Sequence, residues 1–237
     1  MIDRTLKALS LLLSYPEPGV QTAMGEVRAQ IAAEPRLPAD ARAALAPLID
    51  RLAGDDIYAL QEEYVTLFDR TRSLSLNLFE HVHGESRERG AAMVSLLESY
   101  RAAGFEPATT ELPDHLPVLL EYLATRPEAE MREALQDAAH ILAALATRLE
   151  RRESPWAGAL RAALALAAAR PERAALDGML ARADDDPGDL DTLDAAWEEA
   201  EVTFGPDPSA GCPQVRDMLA RMDTPQRPAP ASRPAAD

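Results

Sequence analysis

Residues 64–100 read YVTLFDRTRSLSLNLFEHVHGESRERGAAMVSLLESY. The first part, YVTLF, and the last part, AAMVSLLESY, place apolar residues three or four positions apart, which is the spacing of helices with one buried face. Between them, SLSLNL alternates polar and apolar residues with the period of a strand. No neighbouring segment reads as a second strand, so we predict an extended connection or an irregular start of a helix here. The stretch therefore predicts helices joined by one irregular link.

The composition of the whole chain favours helices. Leu and Ala supply most of the apolar residues, whereas the 237 residues include only eight Val and five Ile. Leu and Ala favour helix, while β-branched residues favour strand. Runs of helical spacing along the chain predict an all-α, single-domain bundle of about nine to eleven helices.

The helical signal weakens toward the C-terminus, which sets the predicted domain boundaries. We predict one helical domain over residues 1–204. Residues 205–222 form a weakly structured segment that can contain one short helix. Residues 223–237 are rich in Pro and Ala and carry no large apolar side chain, so we expect this tail to be disordered.

Three details of the helices can be predicted. Apolar spacing from about Glu128 to Arg152 predicts one long helix. Pro47 lies within the third helix and is expected to kink or break it. Asp114 precedes the apolar run of ELPDHLPVLLEYLA, so we expect its side chain to cap the helix that follows.

The charge of the chain limits its partners. The formal net charge is −16 and the sequence pI is near 4.7. Nucleic-acid backbones and anionic lipid surfaces would repel such a chain, whereas a basic partner would be attracted. Acidity can also serve solubility alone. We predict neither nucleic-acid binding nor membrane insertion.

The cysteine content and the first residues point to the cytoplasm. Cys212 is the single cysteine, so neither an internal disulfide nor a cysteine-based zinc site can form. The N-terminus, MIDRTLKALSLLLSYPEP, lacks the apolar run and cleavage site of a signal peptide. No segment approaches the ~20 apolar residues that a membrane-spanning helix needs.

The segment FEHVHGESRERG, residues 79–90, contains the densest group of chemically versatile side chains. In an extended backbone His81 and His83 would point to the same side and could bind one metal, with Glu80 or Glu85 as an oxygen ligand. The histidine-rich partner that metallohydrolases need is absent, since His115 and His140 are the only other histidines. The alternatives are that these histidines cap the following helix or satisfy a buried turn, or that they belong to a protein-recognition surface, and we favour the recognition surface.

The segment ELPDHLP, residues 111–117, offers a second candidate in Asp114 and His115. Asp-His pairs orient imidazoles in catalytic triads, but neighbours in sequence rarely face each other on a helix. Neither a suitable nucleophile nor a glycine-rich phosphate loop accompanies them. We therefore predict that the chain is not an enzyme.

Together these segments resemble a known family. Tyr64–Phe68, with the pattern Y-x-x-L-F, and Glu111–His115, with the pattern E-L-P-D-H, resemble the two signature motifs of the chaperones that mature molybdenum enzymes. The stretch quoted at the outset, followed by ELPDHLPVLLEYLA, is similar in detail to the assembly chaperones of respiratory nitrate reductase, the delta subunit (NarJ) family. Related chaperones commonly carry E-P-x-D-H, so the backbone at Pro113 is expected to differ.

The resemblance implies an all-α chaperone of the cytoplasm without catalytic turnover. Its partner would be the apo catalytic (alpha) subunit of nitrate reductase, bound at an N-terminal segment that looks like a twin-arginine leader. The chaperone would keep this subunit open for insertion of the molybdenum–guanine dinucleotide cofactor, support iron–sulfur cluster loading and delay membrane docking. It would leave before the final complex forms, and we expect no permanently bound cofactor and no metal.

A basic amphipathic leader helix would fit a hydrophobic groove with an acidic rim. We expect the partner-binding residues to be Tyr64, Phe68, Asp69, Glu80, His81, His83, Glu85, Glu111, Asp114, His115 and Leu116. The three histidines among them ordinarily titrate near neutrality and would make peptide affinity depend on pH.

Two alternatives remain open from the sequence. A chaperone of the same fold could serve another molybdenum enzyme. A histidine-dependent metalloenzyme built on His81 and His83 is the alternative from a different class of protein.

Overall fold

The computed structural model describes residues 2–84, 86–182 and 184, and all of them belong to one compact unit. Within these residues the chain forms eleven α-helices and no strand, which confirms the all-α prediction. The predictions for the last part of the helical domain, for residues 205–222 and for the tail at 223–237 lie outside the described residues.

The helices follow the chain in the order α1 to α11. Their bounds are Arg4–Leu13, Pro18–Ala33, Ala39–Gly54, Ile57–Tyr64, Leu78–His83, Arg87–Ala102, Leu116–Leu123, Glu128–Asp137, Ala139–Arg151, Ala157–Ala167 and Arg173–Leu180. A five-residue π-helical segment, Val65–Asp69, continues α4, and a short 3₁₀ turn spans Arg72–Leu74.

The first helix lies at the centre of the bundle. The carboxylate of Asp3 accepts hydrogen bonds from the N–H groups of Thr5 and Leu6, which caps α1 at its N-terminus. Leucines recur on the inward side, and Leu6 and Leu9 are completely buried. α1 packs against α2, α7 and α10, so its apolar face organises the two halves of the described chain around one core.

One prediction about helix continuity was wrong. The long helix expected from about Glu128 to Arg152 is divided into α8 and α9 at Ala138, a turn residue with φ −82° and ψ −2° that belongs to neither helix. Both α8 and α9 pack on α10. α3 continues through Pro47, so the proline does not break this helix, and the expected kink stays a prediction.

The α3–α10 contact depends on a residue without a side chain. A Cβ at Gly158 would lie 2.6 Å from the carbonyl oxygen of Ala44, so the two backbones could not stay at their present distance. Glycine is therefore required at this crossing by close approach and not by backbone conformation.

Gly158→Ala is expected to destabilise the fold by about 1–3 kcal/mol, because α3 and α10 must move apart to admit the methyl group. The matched control is Gly25→Ala in α2, where an added Cβ meets nothing within 4 Å. The control should be neutral or stabilising by up to about 1 kcal/mol, since alanine is the better helix former. Urea unfolding of both variants measures the difference, and equal stabilities would contradict it.

Candidate functional site

The two segments singled out in the sequence meet at a backbone bridge. Asn77 and His115 form an isolated antiparallel pair. The N–H of Leu78 donates to the carbonyl oxygen of Asp114 at 3.1 Å, and the N–H of Leu116 donates to that of Leu76 at 2.9 Å. The extended link predicted from SLSLNL thus pairs with the second motif, which is distant in sequence. This pair of bonds fixes the position of the first motif region against the second.

Asp114 caps a helix other than the expected one. Its Oδ2 atom accepts a hydrogen bond of 3.0 Å from the N–H of Phe79, in the first turn of α5. The helix that follows Asp114 in sequence, α7, begins after His115 and receives no side-chain cap. The expectation that Asp114 caps the following helix was therefore wrong, because folding brings the start of α5 within reach of its carboxylate.

The Y-x-x-L-F motif lies mainly in the core. The hydroxyl of Tyr64 donates to the carbonyl oxygen of Leu13 at 2.9 Å, and its ring lies 4.9 Å from that of Phe68. The ring of Phe68 in turn lies 6.1 Å from that of Trp156. Tyr64 is 4% exposed and Phe68 5% exposed. Both side chains therefore lie beneath the surface and present little area for contact with a partner.

Acidic side chains surround the outer edge of Tyr64. Burial raises the pKa of the Tyr64 hydroxyl, and the charges of Asp69 and Glu111 raise it further. The pKa of Asp69 is raised by its partial burial and by repulsion from Glu111. Asp69, which directly follows the first motif, and Glu111 of the second motif therefore both act on Tyr64.

Two partly exposed apolar residues neighbour Tyr64 or Glu111. Tyr15 is 41% exposed and its ring meets that of Tyr64 edge-on at 5.5 Å. Leu112, next to Glu111 in sequence, is 42% exposed. We call Tyr15, Asp69, Glu111 and Leu112 the motif face. It combines apolar area with negative charge.

The histidine segment forms the short helix α5 and the turn after it. His81 is turned inward, and its Nε2 atom donates to the carbonyl oxygen of Ser75 at 2.8 Å. His83 lies half-buried with its ring edge-on to that of Phe79, and its Nδ1 atom is 3.8 Å from a carboxylate oxygen of Glu88. The two histidines therefore have different surroundings. Within the described residues no group of three or more His, Cys, Asp or Glu side chains could hold a metal ion.

The acids of this segment are also distinct. Glu80 is half-buried and forms an ion pair of 3.1 Å with Arg89 of α6. Glu85 lies outside the described residues. Leu116 is completely buried at the start of α7. Of the predicted polar residues that the structure describes, Asp69 and Glu111 are exposed, whereas Glu80, His81, His83 and His115 are half-buried and Asp114 is buried.

Burial changes the expectation for two of the histidines. Burial lowers the pKa of His81 below its ordinary value. Burial lowers the pKa of His115 to about 4, against a smaller opposing effect of Asp114. His115 is therefore neutral at pH 7 and does not supply the charge change near neutrality that the sequence led us to expect. For His81 burial acts in the same direction.

Sequence reasoning missed two residues that hold the site in place. Arg148 of α9 is 2% exposed and donates to the carbonyl oxygens of Ser73 at 2.9 Å and Met179 at 2.7 Å. Tyr100 of α6 is completely buried and its hydroxyl donates to the carbonyl oxygen of Pro113 at 2.7 Å. In the sequence, the one sign of this role was an arginine among the apolar residues of a helix. Its hydrogen-bond acceptors are distant in sequence, so the contacts themselves could not be predicted.

Comparison with known proteins identifies the family. The model of the nitrate reductase delta subunit family matches residues 34–162, which include both motifs and the bridge between them. The chain belongs to this family. The nitrate reductase molybdenum cofactor assembly chaperone NarJ of Escherichia coli K12 is 43% identical over 208 residues, or 87% of each chain. The NarW protein of the same strain is 39% identical over 87% of this chain and 86% of its own.

A solved structure supports the same fold. A crystal structure from Archaeoglobus fulgidus, described as a redox enzyme maturation protein, matches with a TM-score of 0.50 and 25% identity. The match covers 69% of this chain and 91% of the other. The resemblance found in the sequence is thus confirmed, as is the prediction that this delta-subunit family member is a chaperone and not an enzyme. No described helix is long and apolar enough to cross a membrane.

Two substitutions of Asp114 distinguish its capping hydrogen bond from an effect of its negative charge. Asp114→Asn keeps an oxygen that can accept from the Phe79 N–H, whereas Asp114→Ala removes it and is expected to cost about 0.5–2 kcal/mol. Urea unfolding measures the stabilities, and the NMR amide signal of Phe79 reports the hydrogen bond. Equal losses in the two variants would contradict the capping role.

The neutral state of His115 predicts an acid-side loss of stability. Between about pH 6.5 and 4 the unfolded chain binds a proton at His115 that the folded chain does not, so the free energy of unfolding falls as pH is lowered through this range. In His115→Gln this dependence should be weaker. NMR titration of the His115 ring gives the pKa directly, and a value near 6.5 would contradict the assignment.

Proposed function

We propose that this delta-subunit family member is the assembly chaperone of a respiratory nitrate reductase. It binds the apo catalytic (alpha) subunit, including the leader-like segment at that subunit's N-terminus. Binding keeps the subunit competent for insertion of the molybdenum–guanine dinucleotide cofactor and for iron–sulfur cluster loading. The chaperone acts in the cytoplasm, before the enzyme docks on its membrane subunit, and it is absent from the finished complex.

The observation that carries this proposal is the meeting of the two family motifs at the Asn77–His115 bridge, beside an acidic surface. A named assembly chaperone with 43% identity over most of the chain supports the choice of client. A chain with a net charge of −16 favours a basic segment over an acidic one as its ligand. A basic amphipathic helix would place its apolar residues on the motif face and its cations beside the carboxylates.

Burial separates the predicted site residues into those that can contact a ligand and those that lie beneath the surface. We propose that Asp69, Glu111, Glu80 and His83 contact the leader-like segment directly, together with Glu85, and that the exposed rings and aliphatic groups of the motif face provide apolar area. Three of the predicted residues are buried and pack beneath this surface: Tyr64, Phe68 and Leu116.

His81, Asp114 and His115 are proposed to position the contacts and not to make them. The side chains of His81 and Asp114 bond to the Ser75 carbonyl and to the first turn of α5, and the backbone of His115 forms the bridge. Removing one of them would shift the backbone that carries Glu80 and His83. Such a shift weakens binding without removing any direct contact.

Calorimetric titration with a synthetic peptide from the N-terminus of the cognate catalytic subunit tests the proposal. We expect one peptide to bind per chain, and we expect the double substitution Asp69→Lys, Glu111→Lys to weaken binding at least about tenfold, equivalent to ~1.4 kcal/mol. The matched control is Glu26→Lys on the exposed side of α2, which changes one charge in the same direction. Its affinity should differ little from that of the unaltered chain.

Two outcomes would count against different parts of the proposal. Absence of binding heat, together with no competition by the peptide, would remove the leader-like segment as the ligand. Failure of the full chain to retain the apo catalytic subunit in a pull-down would remove nitrate reductase as the client. Equal weakening by Glu26→Lys would show that overall charge, and not the motif face, determines affinity.

A further inference from the structure

The last described residues of the chain contact α5 and the 3₁₀ turn that precedes it. The Nη1 atom of Arg182 donates to the carbonyl oxygen of His81 at 3.2 Å. The Oδ1 atom of Asp184 accepts from the hydroxyl of Ser73 at 2.9 Å. The residues of these pairs are 101 and 111 positions apart in the sequence. Tertiary folding therefore brings the end of the described chain to the segment between the two motifs.

Two arginines of α9 hold Asp184 in this position. Its Oδ2 atom binds Arg152 at 2.9 Å, and its Oδ1 atom lies 3.8 Å from the guanidinium of Arg148. Although partial burial alone would raise it, the bonds from Arg152 and Ser73 keep the pKa of Asp184 below its ordinary value. The carboxylate is therefore charged at neutral pH, and it connects α9 to the turn at Ser73.

Arg148 links the same contacts to the core. Its side chain is 2% exposed and donates to the carbonyl oxygens of Ser73 at 2.9 Å and Met179 at 2.7 Å. Burying a charge is costly unless its hydrogen bonds and ion pairs are made. Because Asp184 and the turn at Ser73 both contact this guanidinium, a shift of one of them disturbs the other.

Helix α5 depends on contacts from outside itself. It has six residues, of which only Leu78 is buried. Isolated helices shorter than ~12–15 residues are marginal in water, so tertiary contacts must hold this one. Asp114 caps its first turn. At its other end the last carbonyls of a helix lack intrahelical partners, and Arg182 supplies a donor for that of His81.

We infer that Arg182 and Asp184 are positioning residues of the peptide site. They hold the last turn of α5 and the turn before it, and so they fix the backbone that carries Glu80 and His83. Neither of them touches the ligand. The inference rests on the proposed function, because it concerns binding of the same leader-like segment. By thermodynamic linkage, a ligand bound at this site in turn stabilises these contacts.

Calorimetric titration of the full chain with the peptide of the catalytic subunit's N-terminus tests the inference. Asp184→Asn and Arg182→Gln should each weaken binding about three- to tenfold, as loss of one positioning contact would produce. The two substitutions change the net charge in opposite directions. Weaker binding in both variants therefore cannot arise from overall charge.

Hydrogen exchange followed by NMR provides a second readout, without ligand. The N–H of Gly84, which donates to the carbonyl oxygen of Glu80 at 3.0 Å, reports the last turn of α5. We expect it to exchange faster in both variants, because the helix end opens more often. The amide of Leu9 in the buried helix α1 should exchange at its unaltered rate.

The matched controls make the same changes of charge elsewhere. Glu150→Gln removes the carboxylate that pairs with Arg161 at 2.8 Å, between α9 and α10. Arg173→Gln removes an exposed cation at the start of α11, whose guanidinium lies 3.8 Å from Asp177. Both controls should retain the affinity for the peptide and the exchange rate at Gly84.

Three results would overturn the inference while leaving the proposed function in place. The first is unchanged affinity in both variants. The second is equal weakening in the matched controls. The third is faster exchange at Leu9 as well as at Gly84, which would show a general loss of stability. Absence of binding by the unaltered chain would instead remove the proposed function, and this inference with it.

Discussion

Two backbone hydrogen bonds around Asn77 and His115 hold together segments that are far apart in the sequence. One segment follows the π-helical turn and begins α5, and the other precedes α7. Because α7 packs on α1 at the centre of the bundle, the bridge attaches the peripheral helices α5 and α6 to the core. The capping bond from Asp114 to Phe79 and the bond from Tyr100 to Pro113 strengthen the same attachment. The positions of Glu80, His83 and Glu111 all depend on it.

The attachment is not optimised for stability. The Oδ1 atoms of Asn77 and Asp114, the Nδ1 atom of His115 and the Nε atom of Arg89 are buried without a hydrogen-bond partner among the described residues. Each such atom costs free energy, of order 1–3 kcal/mol when nothing replaces the lost water. Several of them at one junction are typical of a region shaped for binding, since a core shaped for stability alone would use apolar side chains.

Charge divides the surface into regions with different preferences. On the motif face, Asp69 and Glu111 repel each other and together favour a cation. At the start of α1, by contrast, Asp3 and Glu34 are paired with Arg36 within the protein. A strongly acidic composition therefore does not mean that every surface of the protein prefers a basic ligand, because ion pairs within the protein determine which charges a partner meets.

The sequence by itself determined the helical class, most helix positions and the family, because helical spacing and the two motifs are local patterns that need no knowledge of contacts. It also singled out Asp114, His81 and Tyr64 as unusual residues. Only the tertiary structure decided what they do. Asp114 caps α5 and not α7, burial lowers the pKa of His81, and Tyr64 lies beneath the surface and not on it. The division of the expected long helix at Ala138 has the same origin. Each of these outcomes depends on which segments, distant in the sequence, come into contact. Those tertiary contacts, and not the local sequence, determine which side chains are buried and which hydrogen-bond partners they find.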